Sequence, residues 1–236
     1  MSGVPPEHSV GEGGTGEGKA GDRGVGRVGQ RRPERKPDRR EVPSREEIEV
    51  LAPFDDIDPR RIILVRDPHG VEAAHAALAA HTHVGFDTES KPTFTRGERS
   101  EGPHVLQFAT LENAYIFQLH VPAARDAVAA LLESPRLTKV GFGLDGDKTQ
   151  IRARLEVEPR AVLDLDVVFR DLGYRKSVGL KAAVALVFNR RFSKSKRIGT
   201  SNWSHRELTD RQLLYAANDA YAAMRVFAAI NSRGPG

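Results

Sequence analysis

The sequence predicts a mixed α/β fold, one β-sheet covered by helices. Two observations carry that expectation. Short β-branched and aromatic runs come first as a hairpin, and later runs alternate with helix-patterned stretches. A third observation excludes the main rival class: no run approaches the roughly 18 apolar residues that a membrane span needs.

In chain order, Arg61-Ile-Ile-Leu-Val-Arg66 reads as a short strand. Val71 to His81 is Ala-rich with helical spacing. His83-Val-Gly-Phe-Asp87 reads as a buried strand that ends in a carboxylate. Residues 92–103 are polar and bounded by proline, hence a loop. Val105–Ala109 and Ala114–Leu119 are strands joined through Leu111-Glu112-Asn113 as a hairpin. Pro122–Glu133 is a helix opened by proline, where the missing N–H has no intrahelical partner to lose. Lys139–Phe142 is a strand, followed by the turn Gly143-Leu-Asp-Gly146 and a helix to about Leu155. Val162-Leu163 is a short strand, and helices follow over 165–172, 180–188 and 209–230. No internal repeat is present.

Of 236 residues, 39% are hydrophobic and 29% charged, the balance of a globular chain. Cysteine is absent, which excludes a disulfide scaffold, a thiol nucleophile and any Cys-ligated metal. Any metal site must use oxygen and imidazole. The absence fits a reducing compartment, and a cytoplasmic location is expected. Met1–Val10 has no apolar stretch behind a basic start, so no secretory signal is expected. Charge is uneven: residues 1–45 hold ten Lys/Arg and seven Asp/Glu, which accounts for +3 of the net +4. The same segment holds ten Gly, five Pro and almost no large apolar side chain. It cannot bury enough surface to offset its ordering entropy. The expectation is a disordered Gly/Arg-rich tail over 1–45 and a folded domain over 46–236. The arginines within 31–45 read either as solvated charge or as attraction to nucleic-acid phosphate.

Four acids stand where acids are uncomfortable. Asp87 and Glu89 lie two apart at the end of an apolar strand, so both point to one face. Asp147 follows the strand Val140-Gly-Phe142 and opens a helix. Asp219 sits within Tyr215-Ala-Ala-Asn-Asp-Ala-Tyr221, and Tyr215 lies one turn before it on the same helix face. Singly, each acid has an ordinary explanation: a turn, a helix cap, an arginine partner. Converging on one site, carboxylates repel unless a cation sits between them. Oxygen-only donors select hard cations such as Mg²⁺ or Mn²⁺. A pair of such ions about 3.5–4 Å apart suits phosphodiester hydrolysis.

These residues, in this order, resemble the DEDD superfamily of 3′–5′ exonucleases in its Tyr-containing (DEDDy) branch, the RNase D and Werner-syndrome exonuclease-domain group. The motifs are Phe86-Asp87-Thr88-Glu89, then Val140-Gly-Phe-Gly-Leu-Asp-Gly-Asp147, then Tyr215 to Tyr221 preceded by Ser201-Asn202-Trp203 and Leu208-Thr209. The resemblance covers about residues 60–232. It implies an RNase H-like fold, a mixed five-stranded sheet flanked by helices, and a metal-dependent hydrolase that releases 5′-mononucleotides from single-stranded 3′ ends of DNA or RNA. It implies two ions, Mg²⁺ or Mn²⁺, with Asp87 bridging them. Glu89 and Asp219 would hold the ion that carries the nucleophilic water. Asp147, rather than Asp145, would serve the second ion. Tyr215 would hydrogen-bond the attacking water. The sister branch places a His five residues before the last Asp; here that position is Leu214.

Substrate contacts are read at Thr88, Phe94, Arg96 and Trp203. Phe94 either stacks on the terminal base or packs inward. Trp203 reads first as a packing anchor and second as a stacking platform. Arg96 and the run Arg190–Arg197 either follow the nucleic-acid backbone or are solvated loop. The two alternative functions are a catalytically weak exonuclease fold that binds nucleic acid or a partner, and RNase D-like RNA 3′-end processing. Gly236 follows the last motif closely, so a stand-alone domain is expected. No oligomeric state is read from the sequence.

Overall fold

The computed structural model describes residues 40–93, 97–98 and 100–232. Most of the expected tail, together with Phe94 and Arg96, lies outside the described residues. Six strands form one sheet: β1 (Ile62–Val65), β2 (His83–Glu89), β3 (Val105–Ala109), β4 (Ala114–Gln118), β5 (Thr138–Gly141) and β6 (Val162–Asp164). Their spatial order is β1-β4-β3-β2-β5-β6. The β2-β3-β4 run is antiparallel, and β1, β5 and β6 join in parallel pairings. The mixed α/β sheet expected from the sequence is present. It has six strands where the resemblance implies five, and each of the six coincides with a strand segment read from the sequence.

The longer helices are α2 (Pro68–Ala79), α3 (Pro122–Glu133), α4 (Asp145–Leu155), α5 (Leu165–Asp171), α6 (Leu180–Phe188) and α8 (Asp210–Ser232). Helix α2 starts ahead of the Ala-rich stretch because Asp67 caps it and Pro68 opens it; the Asp67 carboxylate accepts from the Gly70 N–H at 2.9 Å. Two short helices escape the periodicity reading: α1 (Arg45–Glu49), held by a Ser44–Glu47 capping box, and α7 (Lys196–Gly199). One turn of helix carries no period to detect. Ahead of α1, Val42 packs on the core and Arg40 bridges to Tyr174. No described helix is long and apolar enough to cross a membrane.

The sheet has two differently built faces. Val84 and Phe86 of β2, with Leu106, Phe108, Tyr115 and Phe117, pack under α2, α3 and α4. Burying each such phenylalanine stabilises the fold by about 1.5–3 kcal/mol. The opposite face carries Val105, Ala109, Ala114 and Ile116, and meets Ala216, Ala217 and Ala220 of α8. Small residues let that helix lie close to the strands. Gly85 shows how close: a Cβ there would sit 1.9 Å from the Ala220 carbonyl oxygen. Only glycine permits this spacing. Helices α5 and α6 extend the same side, through Phe169, Val184, Val226 and Phe54.

Candidate active site

Period-2 alternation along β2 sends Gly85, Asp87 and Glu89 to the α8 face. Asp219 sits at mid-α8, 2% exposed, next to the Ala220 that meets Gly85. The close helix–strand contact therefore brings the third carboxylate to the first two. One oxygen from each of Asp87, Glu89 and Asp219 lies within 4.8 Å of the others.

Three carboxylates this close disfavour ionisation. Burial, and then the charge of Asp219, pushes Asp87 up to about 8. Burial and the charge of Asp87 push Glu89 up to about 9. Burial raises Asp219 to about 6, while Lys194 holds it back. The Lys194 ammonium stands in the cluster, Nζ 2.8 Å from Asp219 Oδ2 and 3.9 Å from Asp87 Oδ2. Burial works against the ammonium's charge, yet Asp219 and Asp87 outweigh it and raise its pKa.

Asp147 comes from the first turn of α4. Gly143, at φ +69°, makes the turn from β5 into that helix. The Asp147 carboxylate accepts a hydrogen bond from the Thr88 hydroxyl and adds its charge to the environment of Asp87 and Glu89. It stands beside the trio rather than within it. Thr88 is thus occupied with Asp147. Asp145 is on the surface, paired with Lys148 at 2.7 Å.

Tyr215, one turn before Asp219, stands beside the carboxylates. Burial and the Asp219 charge push its hydroxyl above its ordinary range, so it keeps its proton. Its ring lies 5.4 Å from Lys194 Nζ. Trp203 backs it, with ring centroids 5.9 Å apart. At 1% exposure, with Nε1 donating to the Gly199 carbonyl at 3.2 Å, the indole is a packing anchor. The expectation of Trp203 as a substrate contact is corrected here, because a buried indole has no free face for a base.

Two residues at the site were not singled out from sequence. Lys194 was read only within a basic run. Gln107 lies opposite Asp87 in the β2–β3 register, fully buried, and its amide has no hydrogen-bond partner among the described residues. Its one sequence signal is a polar residue inside the apolar strand Val105-Leu-Gln-Phe-Ala109.

Residues 62–234 match the family model described as 3′-5′ exonuclease. The chain belongs to the 3′–5′ exonuclease family. Its members are hydrolases that act on nucleic acid and depend on divalent metal. The mouse bifunctional 3′-5′ exonuclease/ATP-dependent helicase WRN is 30% identical over 153 residues, which is 64% of this chain and 11% of that protein. The chain thus spans a small part of that relative's length. Among solved structures, the Aedes aegypti Nibbler EXO domain superposes with a TM-score of 0.65 at 24% identity, over 76% of this chain and 92% of that one. Trypanosoma brucei RNase D in complex with RNA U12 gives 0.63 at 18%, over 78% and 64%. The fold is RNase H-like, as these exonuclease domains are.

The residues present fit the family's divalent metal. Their donors are hard carboxylate oxygens, their ionisation is suppressed by mutual repulsion, and a lysine ammonium stands where a cation would balance them.

Proposed function

We propose that this chain is a DEDDy-type 3′–5′ exonuclease that uses two metal ions to hydrolyse terminal phosphodiester bonds and release 5′-mononucleotides. The observation that carries the reading is the convergence of Asp87, Glu89 and Asp219 within 4.8 Å, from elements far apart in the chain. Asp87, Glu89, Asp147 and Asp219 would hold Mg²⁺ or Mn²⁺. Bound there, the ions supply Lewis acidity and make water a stronger acid.

The protein's own part is positioning. Asp87 and Glu89 are fixed by the β2–β3 ladder, and Asp219 by the docking of α8. The Thr88 hydroxyl orients Asp147. Tyr215, backed by Trp203, keeps its phenolic proton and would hydrogen-bond the attacking water. The scissile phosphate enters beside these groups at a free 3′ end. A single-stranded 3′ end is the substrate proposed. RNA is the second reading, favoured by the likeness to an RNase D solved with RNA. The binding-module alternative has little behind it, since every acid of the motifs is present. The division into a tail over 1–45 and a nuclease domain over 46–236 belongs to this proposal, with Val42 packed on the domain and Arg40 bridged to Tyr174. So does a cytoplasmic location, which the cysteine-free composition supports.

The test is digestion of matched DNA and RNA strands labelled at the 5′ end, with Mg²⁺, with Mn²⁺ and with EDTA. A ladder of progressively shorter labelled products is expected with metal and none with EDTA. Intact strands under all conditions would overturn the proposal. The rates on the two strands choose the sugar.

A further inference from the structure

The metal reading leaves one charged group unexplained. Lys194 precedes α7, and the basic run around it is mostly surface. Its neighbours Arg190 and Lys196 are exposed, whereas its own side chain is one-third exposed and turns inward. Its Nζ meets Asp219 Oδ2 at 2.8 Å and Asp87 Oδ2 at 3.9 Å, and lies over the Tyr215 ring at 5.4 Å. The two carboxylates it touches are members of the trio proposed to hold metal. A divalent ion bound to those carboxylates would stand beside the ammonium, and the two cations repel each other.

We propose that Lys194 is the resident cation of the metal-free site, holding Asp87 and Asp219 together until a divalent ion displaces it. The inference rests on the metal reading given above and adds a role for a residue outside the motifs. Without a counter-charge, carboxylates brought together by folding would drive β2 and α8 apart or hold protons. A tethered ammonium lessens both, and its flexible four-carbon stem lets it leave. The cost is competition. Every metal ion must displace an ion pair, so the site binds metal more weakly than its carboxylates alone would. Once displaced, the ammonium remains beside the site where phosphate arrives, next to the exposed Lys196 and Arg197.

The experiment compares wild type, Lys194→Met and Lys194→Arg. Two readouts are used: Mg²⁺ binding by calorimetry in alkaline buffer, where protons compete least, and thermal melting with EDTA or saturating Mg²⁺. For Lys194→Met the expected result is Mg²⁺ affinity raised by about tenfold or more, with a lower melting temperature in EDTA and a wild-type value in Mg²⁺. The last value also shows that the variant folds. Lys194→Arg keeps the charge and is expected to bind Mg²⁺ no tighter than wild type. Unchanged or weaker Mg²⁺ binding by Lys194→Met, with wild type binding normally, would overturn the role of Lys194 and leave the metal reading standing. Absence of Mg²⁺ binding in all three proteins would overturn both.

Discussion

Toward α2 and α3, β2 presents Val84 and Phe86 to a layer of large apolar side chains; toward α8, the same strand presents Gly85, Asp87 and Glu89. Each side buries charge, and the two sides treat it differently. On the apolar side, Lys139 of β5 is fully buried, and its ammonium donates to the carbonyls of Leu131, Ser134 and Leu137 at 3.1, 3.0 and 2.8 Å. It closes the C-terminal end of α3. Burial lowers its pKa to about 8, but each of its three donors is used. On the other side, carboxylates face carboxylates and the Gln107 amide has no hydrogen-bond partner among the described residues. A buried charge with all its hydrogen bonds made is architecture. One left in repulsion costs stability, and the fold retains it where a ligand completes it.

The variant that would break this contrast most sharply is Asp87→Ala. Cleavage should fall by about 10³-fold or more, since several kcal/mol of charge stabilisation depend on the cluster. Thermal stability in EDTA should hold or rise, because one carboxylate leaves a repelling group. Oligonucleotide release and calorimetry check the two halves; retained activity, or a large loss of stability, would place Asp87 with the structural charges. Lys139→Met should do the reverse. It leaves three carbonyls unpaired and should cost about 1–3 kcal/mol in urea unfolding, with kcat unchanged. The third expectation is a pH dependence. In the fold Asp87 and Glu89 titrate at about 8 and about 9, against ordinary values of 3.8 and 4.5. Between those values the folded chain holds protons that the unfolded chain has released. Stability of the metal-free protein therefore falls as pH rises from about 4 to about 8. Saturating Mg²⁺ should flatten that fall by a few degrees of melting temperature. A metal-free protein that becomes more stable over this interval would contradict the assigned repulsion.

What the sequence shows of this site follows the same contrast. Strand alternation places Asp87 and Glu89 together without any structure, and helical spacing pairs Tyr215 with Asp219. Both are local rules. The meeting of β2 with α8 is a tertiary fact; in the sequence it leaves only a trace, in Gly85 and the alanines around Asp219, small residues where larger ones would pack better. Lys194 was hidden for a physical reason. A lysine in a basic run has the same local signature whether it points to water or inward, and only the surrounding fold decides. Trp203 shows the converse, since its burial behind Tyr215 settles a choice that composition left open. The short α1 and α7 went unread because one helical turn is too brief for a hydrophobic period.

Helix α8 is the last element of the described chain, and it brings both Asp219 and Tyr215. During synthesis, β2 with Asp87 and Glu89 leaves the ribosome long before that helix does. A nascent or C-terminally clipped polypeptide without α8 would carry Asp87, Glu89 and Asp147 of the proposed site but neither Asp219 nor Tyr215. On the proposed site, hydrolysis would begin only when translation has passed residue 219 and the helix has docked.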